Sequence, residues 1–131
     1  MTITFDEETR TLLNGKNFAI VATLNPDGSP QTSVVWVLCE GDTVLFSSTA
    51  GRHKTRNLAR DSRISLTVFD TGNPYHSVEI RGTAKVSEGC AREVQLAVSH
   101  KYLGQDPPAD PEGTARVVVR VIPHKIRSFS A

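Results

Sequence analysis

Cysteine is nearly missing. Only Cys39 and Cys90 occur in 131 residues, and they offer neither a disulfide framework nor a metal-ligand spacing, so a reducing, cytoplasmic setting is expected. Charge of one sign is missing too: the net charge is +1, where a general nucleic-acid binder is basic over a whole face. Aromatic residues make up 6% of the chain and do not interleave with cations, so no base-stacking groove is signalled. No apolar run approaches the ~18 residues of a membrane span. The opening MTITFDEETR has neither the basic nor the apolar region of a signal peptide. Neither GxGxxG nor GxxxxGK[ST] occurs, and NGK at 14–16 lacks the context of a phosphate loop. His53, His76, His100 and His124 are scattered without ligand spacing, so no metal is expected. A GxSxG nucleophile elbow is absent as well. These gaps exclude the familiar hydrolase, membrane and nucleic-acid classes.

What is present reads as one domain, 1–131, long enough to bury roughly two-thirds of its unfolded surface. Asp6 is a candidate N-cap for a short helix with Leu12 and Leu13 at its apolar end and Gly15 as its stop. NFAIVATL (17–24) reads as a buried strand, NPDG as a hairpin turn, and 30–40 as a returning strand. With 43–48 this predicts a three-stranded meander. A helix is expected over 53–60, with Asn57, Leu58 and Ala59 as its apolar strip. Strands follow over 63–70 and 75–87, then a helix over 88–103 with Ala91, Val94, Val98 and Tyr102 on one side. GQDPPADPEGT (104–114) reads as a surface loop, and the last strand is expected to break or bend at Pro123. About six strands with two or three short helices predict an α+β, mainly β fold, an antiparallel barrel.

The most unusual stretch is STAGRHKTRNLARDSR (48–63), with five cations, Arg52, Lys54, Arg56, Arg60 and Arg63, against one acid, Asp61. The bland interpretation is a solvated helix face. Three details favour an anion site instead. Cations begin before the helix has completed a turn, Ser47, Ser48 and Thr49 end the preceding strand, and Gly51 sits at the junction. Free amides of a helix N-terminus, hydroxyl donors and guanidinium forks then meet at one place, suited to a phosphate. Arg52 and Arg56 share a face if the helix starts early. Lys54 joins them only from an irregular turn.

GRHKTRNLARDSRISLTVFD followed by NPYHSVEIRGTAKV, with FAIVATLNPDGSPQTSVVWV upstream, resembles the split-β-barrel family of flavin- and deazaflavin-binding proteins related to pyridoxamine 5′-phosphate oxidase. Within it, the segment is similar to the coenzyme F420-dependent oxidoreductases. The resemblance covers about residues 15–87 well and the last strand loosely. It implies an FMN-binding-type split barrel and a homodimer holding two cofactors at its interface. It places Arg52 and Lys54 on the cofactor phosphate, with Asn57 in the same motif, and Ser47, Ser48 and Thr49 along the cofactor. Gln31 and Ser33 fall where the tricyclic ring is approached; as residues they read only as the polar half of an alternating strand.

The resemblance implies hydride transfer between the deazaflavin C5 and an unsaturated small molecule. An FMN-binding flavoprotein and a non-catalytic flavin or deazaflavin carrier are the alternatives. Pyridoxamine phosphate oxidation is not expected, because VIPHKIRSFSA lacks the aromatic-glycine signature of those oxidases. Since the cofactor carries such chemistry, no catalytic acid or base is assigned. Trp36, Tyr75 and His76 are candidates for the substrate side, each with packing as its competing role.

Overall fold

The computed structural model describes residues 3–131. Asp6 caps α1 (Glu7–Asn14): its carboxylate accepts from the Thr9 amide at 2.8 Å, and hydrogen bonding to Thr9 holds its pKa below the usual carboxylate value. Leu12 and Leu13 of α1 are buried. β1 (Phe18–Leu24) and β2 (Pro30–Trp36) form a hairpin around Gly28, whose φ of 85° is the left-handed conformation that the turn requires. β3 (Leu38–Glu40) and β4 (Thr43–Thr49) form a second hairpin. α2 (His53–Arg60), β5 (Arg63–Asp70), β6 (Asn73–Ser87), α3 (Ala91–Leu103) and β7 (Arg116–Phe129) complete the chain. All strand pairings are antiparallel, in the order β2-β1-β5-β6-β7-β4-β3.

The stretch 30–40, expected as one strand, is therefore two, and the three-stranded meander does not form. β4 pairs with β7, from Val44 opposite Val121 to Thr49 opposite Arg116, while β2 lies at the far edge. The cause is Val37. Its amide donates to Tyr102 Oη at 3.1 Å and its carbonyl accepts from Lys101 Nζ at 2.7 Å, so α3 satisfies the backbone groups that a neighbouring strand would otherwise take. One residue now links the two edges of the sheet. Its flanking residues lie at most about 7 Å apart, so the sheet must roll until its edges meet there. The product is a barrel, joined at Val37 and split beyond it.

Val21, Leu66, Val68, Val78, Ile80, Val119 and Val121 fill the barrel, with Leu13 and Leu58 from the helices. α3 packs Ala91, Val94 and Val98 on Leu45 and Val118, on the other face of β4 and β7. That helix starts at Ala91 rather than at 88, after Cys90 in a left-handed conformation (φ 61°). β7 runs through Pro123 unbroken. It bends beside it, as expected: Gly82 lies opposite Pro123 and Arg81 opposite Lys125, which leaves His124 of β7 as the extra residue of a bulge. A Cβ on Gly82 would lie 1.9 Å from the Ile122 carbonyl oxygen, so only glycine permits this approach. On α2 the buried face is Lys54, Thr55, Asn57 and Leu58, whereas Ala59, expected in the apolar strip, is exposed. Among the described residues no helix is long and apolar enough to cross a membrane.

Candidate functional site

The split of the barrel is where the site lies. β4 ends at Thr49 beside the edge strand β2, and the chain turns through Gly51 into α2. A groove of about 710 Å³ opens there, floored by Ser47, Ser48 and Thr49, flanked by Val34 and Trp36, and walled by α3 and the prolines of the 104–114 loop. That loop, expected merely on the surface, is part of the site.

The five cations sort into two groups. Arg52 occupies the N-cap of α2, which no side chain caps, so the first-turn amides keep their positive end free. Lys54 follows in the first turn, 8% exposed, and lines the groove with Arg52. Neither side chain has a hydrogen bond or ion pair among the described residues. Burial, reinforced by the Arg52 charge, pulls the Lys54 pKa below its ordinary value. An anion placed between them would relieve that strain. The other three cations are elsewhere: Arg56 is exposed outside the groove, and Arg60 reaches the Leu24 carbonyl and the Asn57 amide. Arg63 chelates Asp61 at 3.0 and 2.7 Å, and these bonds pull the Asp61 pKa down to about 2.

The hydroxyl run divides in the same way. Ser48 is buried, its Oγ 2.8 Å from Thr55 Oγ1, and pins α2 to β4. Ser47 Oγ accepts from Arg116 Nη1 at 3.3 Å. Thr49 lines the groove. Trp36 also lines it, with its indole stacked on the Tyr102 ring at 5.0 Å and 6°. The Tyr102 hydroxyl in turn donates to Asn17 O at 2.6 Å.

The remaining sequence candidates fall outside the groove lining. Asn57 is buried and donates to Thr23 Oγ1 and Asn25 Oδ1, both at 3.1 Å. Gln31 accepts from Thr23 Oγ1 at 3.0 Å, so both belong to a network that ties α2 to β1 and β2. Ser33 Oγ, on β2 opposite Val21, is buried without a partner among the described residues. Tyr75 and His76 open β6 at another part of the barrel. Tyr75 is exposed, and His76 Nε2 lies 3.1 Å from Glu8 of α1, with Nδ1 3.7 Å from Asp70.

Arg116, Asp110, Gln95 and Ser99 line the groove without having been singled out in the sequence. Asp110 accepts from Arg116 Nε at 3.1 Å and Nη2 at 2.5 Å, which holds its carboxyl below the usual range. The only signal was six-residue spacing across a proline-glycine turn, which many surface loops share. Chemically, the groove holds an ion-paired carboxylate, a serine bonded inward and two unpaired cations. This is equipment for binding a phosphorylated ligand beside an aromatic wall; it contains no nucleophile paired with a base.

Comparison with known proteins agrees with that geometry. The family model for pyridoxamine 5′-phosphate oxidase matches residues 5–130. A solved structure named F420 reductase is 27% identical, with TM-score 0.81, covering 94% of this chain and 98% of its own. A conserved hypothetical protein of Mycobacterium tuberculosis is 24% identical at TM-score 0.79, covering 98% of this chain and 86% of its own. General stress protein 26 of Bacillus anthracis is 14% identical at TM-score 0.72, covering 94% and 92%. The last two carry the fold alone.

Proposed function

Because the chain belongs to the pyridoxamine 5′-phosphate oxidase family, we propose that it is a deazaflavin-dependent oxidoreductase, using coenzyme F420 to transfer a hydride to or from an unsaturated small molecule. One observation carries the proposal: two uncompensated cations at an uncapped helix N-terminus, in a groove that continues along an aromatic and aliphatic wall. The choice of deazaflavin over FMN rests on the 27% identical F420 reductase.

The residues present fit such a cofactor. Lys54 has an ammonium drawn out of water with no acceptor among the described residues, and Arg52 stands beside it. They would hold the phosphate with Ser47, Thr49 and the α2 amides. Val34 and Trp36 would face the ring. When bound, the cofactor supplies the hydride chemistry. The chain's own part is to fix the phosphate, present one ring face and keep water from it. Tyr102 contributes by holding the Trp36 indole in place.

The proposal includes a homodimer. Phe18, Ile20 and Val34 stand exposed on the outer face of the β1–β2 hairpin, and Phe129 is exposed on β7. An apolar face of this kind on a soluble domain favours a second copy. Val34 belongs both to that face and to the groove, so a partner seated there would border the cofactor. Free Cys39 and Cys90 suit a cytoplasmic location.

FMN binding is the second interpretation, since a phosphate site does not distinguish the two tricycles. Side-by-side titration of the purified protein with F420 and FMN, followed by fluorescence, separates them. Tight binding of F420 alone is the expected result. Preference for FMN moves the protein to the flavoprotein branch. Binding of neither below millimolar, only about 4 kcal/mol of interaction, defeats the phosphate-site assignment.

A further inference from the structure

The groove contains a third cation, Arg116, whose charge is masked. Its guanidinium donates twice to Asp110 and once, through Nη1, to Ser47 Oγ at 3.3 Å. Ser47 lies on the floor where the phosphate would rest, so Arg116 is one hydroxyl away from it. Asp110 is well held. Gln95 Nε2 reaches both of its oxygens at 3.4 Å, and Gln95 is itself bonded by Arg92 at 3.0 Å. The pair also forms a partition. On its other side is a second cavity of about 420 Å³, bordered by Glu88 and Arg92, and Gln95, Asp110 and Arg116 line both.

We infer that Asp110 is a specificity-determining residue: by neutralising Arg116 it limits how much negative charge the groove accepts, and a ligand bearing more anionic groups than one phosphate must take Arg116 from it. This rests on the groove being the cofactor-phosphate site, as proposed above. Arg52 and Lys54 together suffice for a single phosphate group, roughly −1.5 to −2 as a monoester like that of FMN and about −1 as a diester like that of F420. A third free guanidinium would overshoot that charge and favour more anionic ligands. Asp110 carries no proton to transfer, being ionised by its partners; its effect is through charge and through the position of Arg116.

The test is Asp110→Asn in the full chain, titrated with FMN and F420 at low and high salt, and with inorganic phosphate and pyrophosphate. Unmasking one cation beside Ser47 should tighten cofactor binding about three- to tenfold at low salt. The gain should be larger for pyrophosphate than for phosphate, fade at high salt, and vanish in Asp110→Asn/Arg116→Gln. A loosened loop would instead act alike at both salt concentrations. Unchanged or weaker binding in Asp110→Asn, or a gain that survives in the double variant, overturns the inference. If wild-type protein binds neither cofactor, the functional proposal fails, while the phosphate and pyrophosphate titrations still decide the role of Asp110. Should Asp110→Asn not fold, Arg116→Gln alone serves. A masked cation costs less than about twofold when removed, and a loss as large as that of Lys54→Met defeats the idea.

Discussion

Two lysines on two helices make the most instructive contrast in the molecule. Lys54 on α2 and Lys101 on α3 are both drawn out of water, and burial lowers both pKa values, that of Lys101 to about 8. Their surroundings differ in one respect. Lys101 donates to the carbonyls of Leu13 and Val37, at 2.5 and 2.7 Å, and its ammonium lies 4.8 Å from the Tyr102 ring centroid. Lys54 has no acceptor among the described residues, and the charge that acts on it is another cation, Arg52. Buried charge is tolerated where it is spent on the fold or kept for a ligand. Lys101 is the first case and Lys54 the second.

The contrast breaks most visibly in Lys101→Met. Removing the ammonium strands the Leu13 and Val37 carbonyls, and urea unfolding should show a loss of about 2–4 kcal/mol, one to two unsatisfied buried acceptors. Lys54→Met should leave unfolding of the ligand-free protein unchanged or slightly improved. Its loss should appear in cofactor titration, as about 1–3 kcal/mol of binding. If both variants destabilise alike and bind alike, the distinction between a structural and a ligand-binding lysine fails.

Alkaline pH sharpens the same comparison. Lys101 titrates near 8 in the folded chain and near its ordinary value, about 10.4, when unfolded. Between these values the unfolded state holds more protons, so the Lys101 contribution to stability rises with pH through that window. Below it the cost of the buried cation is felt in full. Urea midpoints of wild type should therefore gain on those of Lys101→Met from pH 8 to 10. For Lys54, a bound phosphate restores the depressed pKa, so cofactor binding at alkaline pH should take up protons, measurable by calorimetry in buffers of different ionisation enthalpy. The smallest effect belongs to Arg63→Ala. Its guanidinium is held by Asp61 on the surface away from the groove, and both binding and stability should stay within measurement error.

Local signals in the sequence were accurate where the physics is local. The Asp6 cap, the Gly28 turn and the 53–60 helix depend on neighbours within a few residues, and each is found as expected. The basic turn was visible for the same reason, since strand end, glycine and cations are contiguous. Which cations remain free was not visible. Arg60 is taken by the Leu24 carbonyl and Arg63 by Asp61, and only packing reveals that. The break at Val37 was hidden because its partners, Tyr102 and Lys101, lie on α3 far along the chain. The apolar run of residues 34–39 continues through it undisturbed. Asp110 and Arg116 were hidden because neither their loop nor their strand carries a pattern that specifies a pair facing Ser47.

The placement of β7 bears on how the protein is made. β4 is synthesised early, yet its long ladder is with β7, Val44 opposite Val121 and Thr49 opposite Arg116. Until that last strand leaves the ribosome, β4 has only the three residues of β3 to pair with, and loop closure over such a separation is slow. The floor of the groove and its masked arginine therefore come into existence together, when β7 docks on β4. A nascent chain that has not yet reached β7 lacks that floor, so a ligand that needs it binds only after β7 has docked.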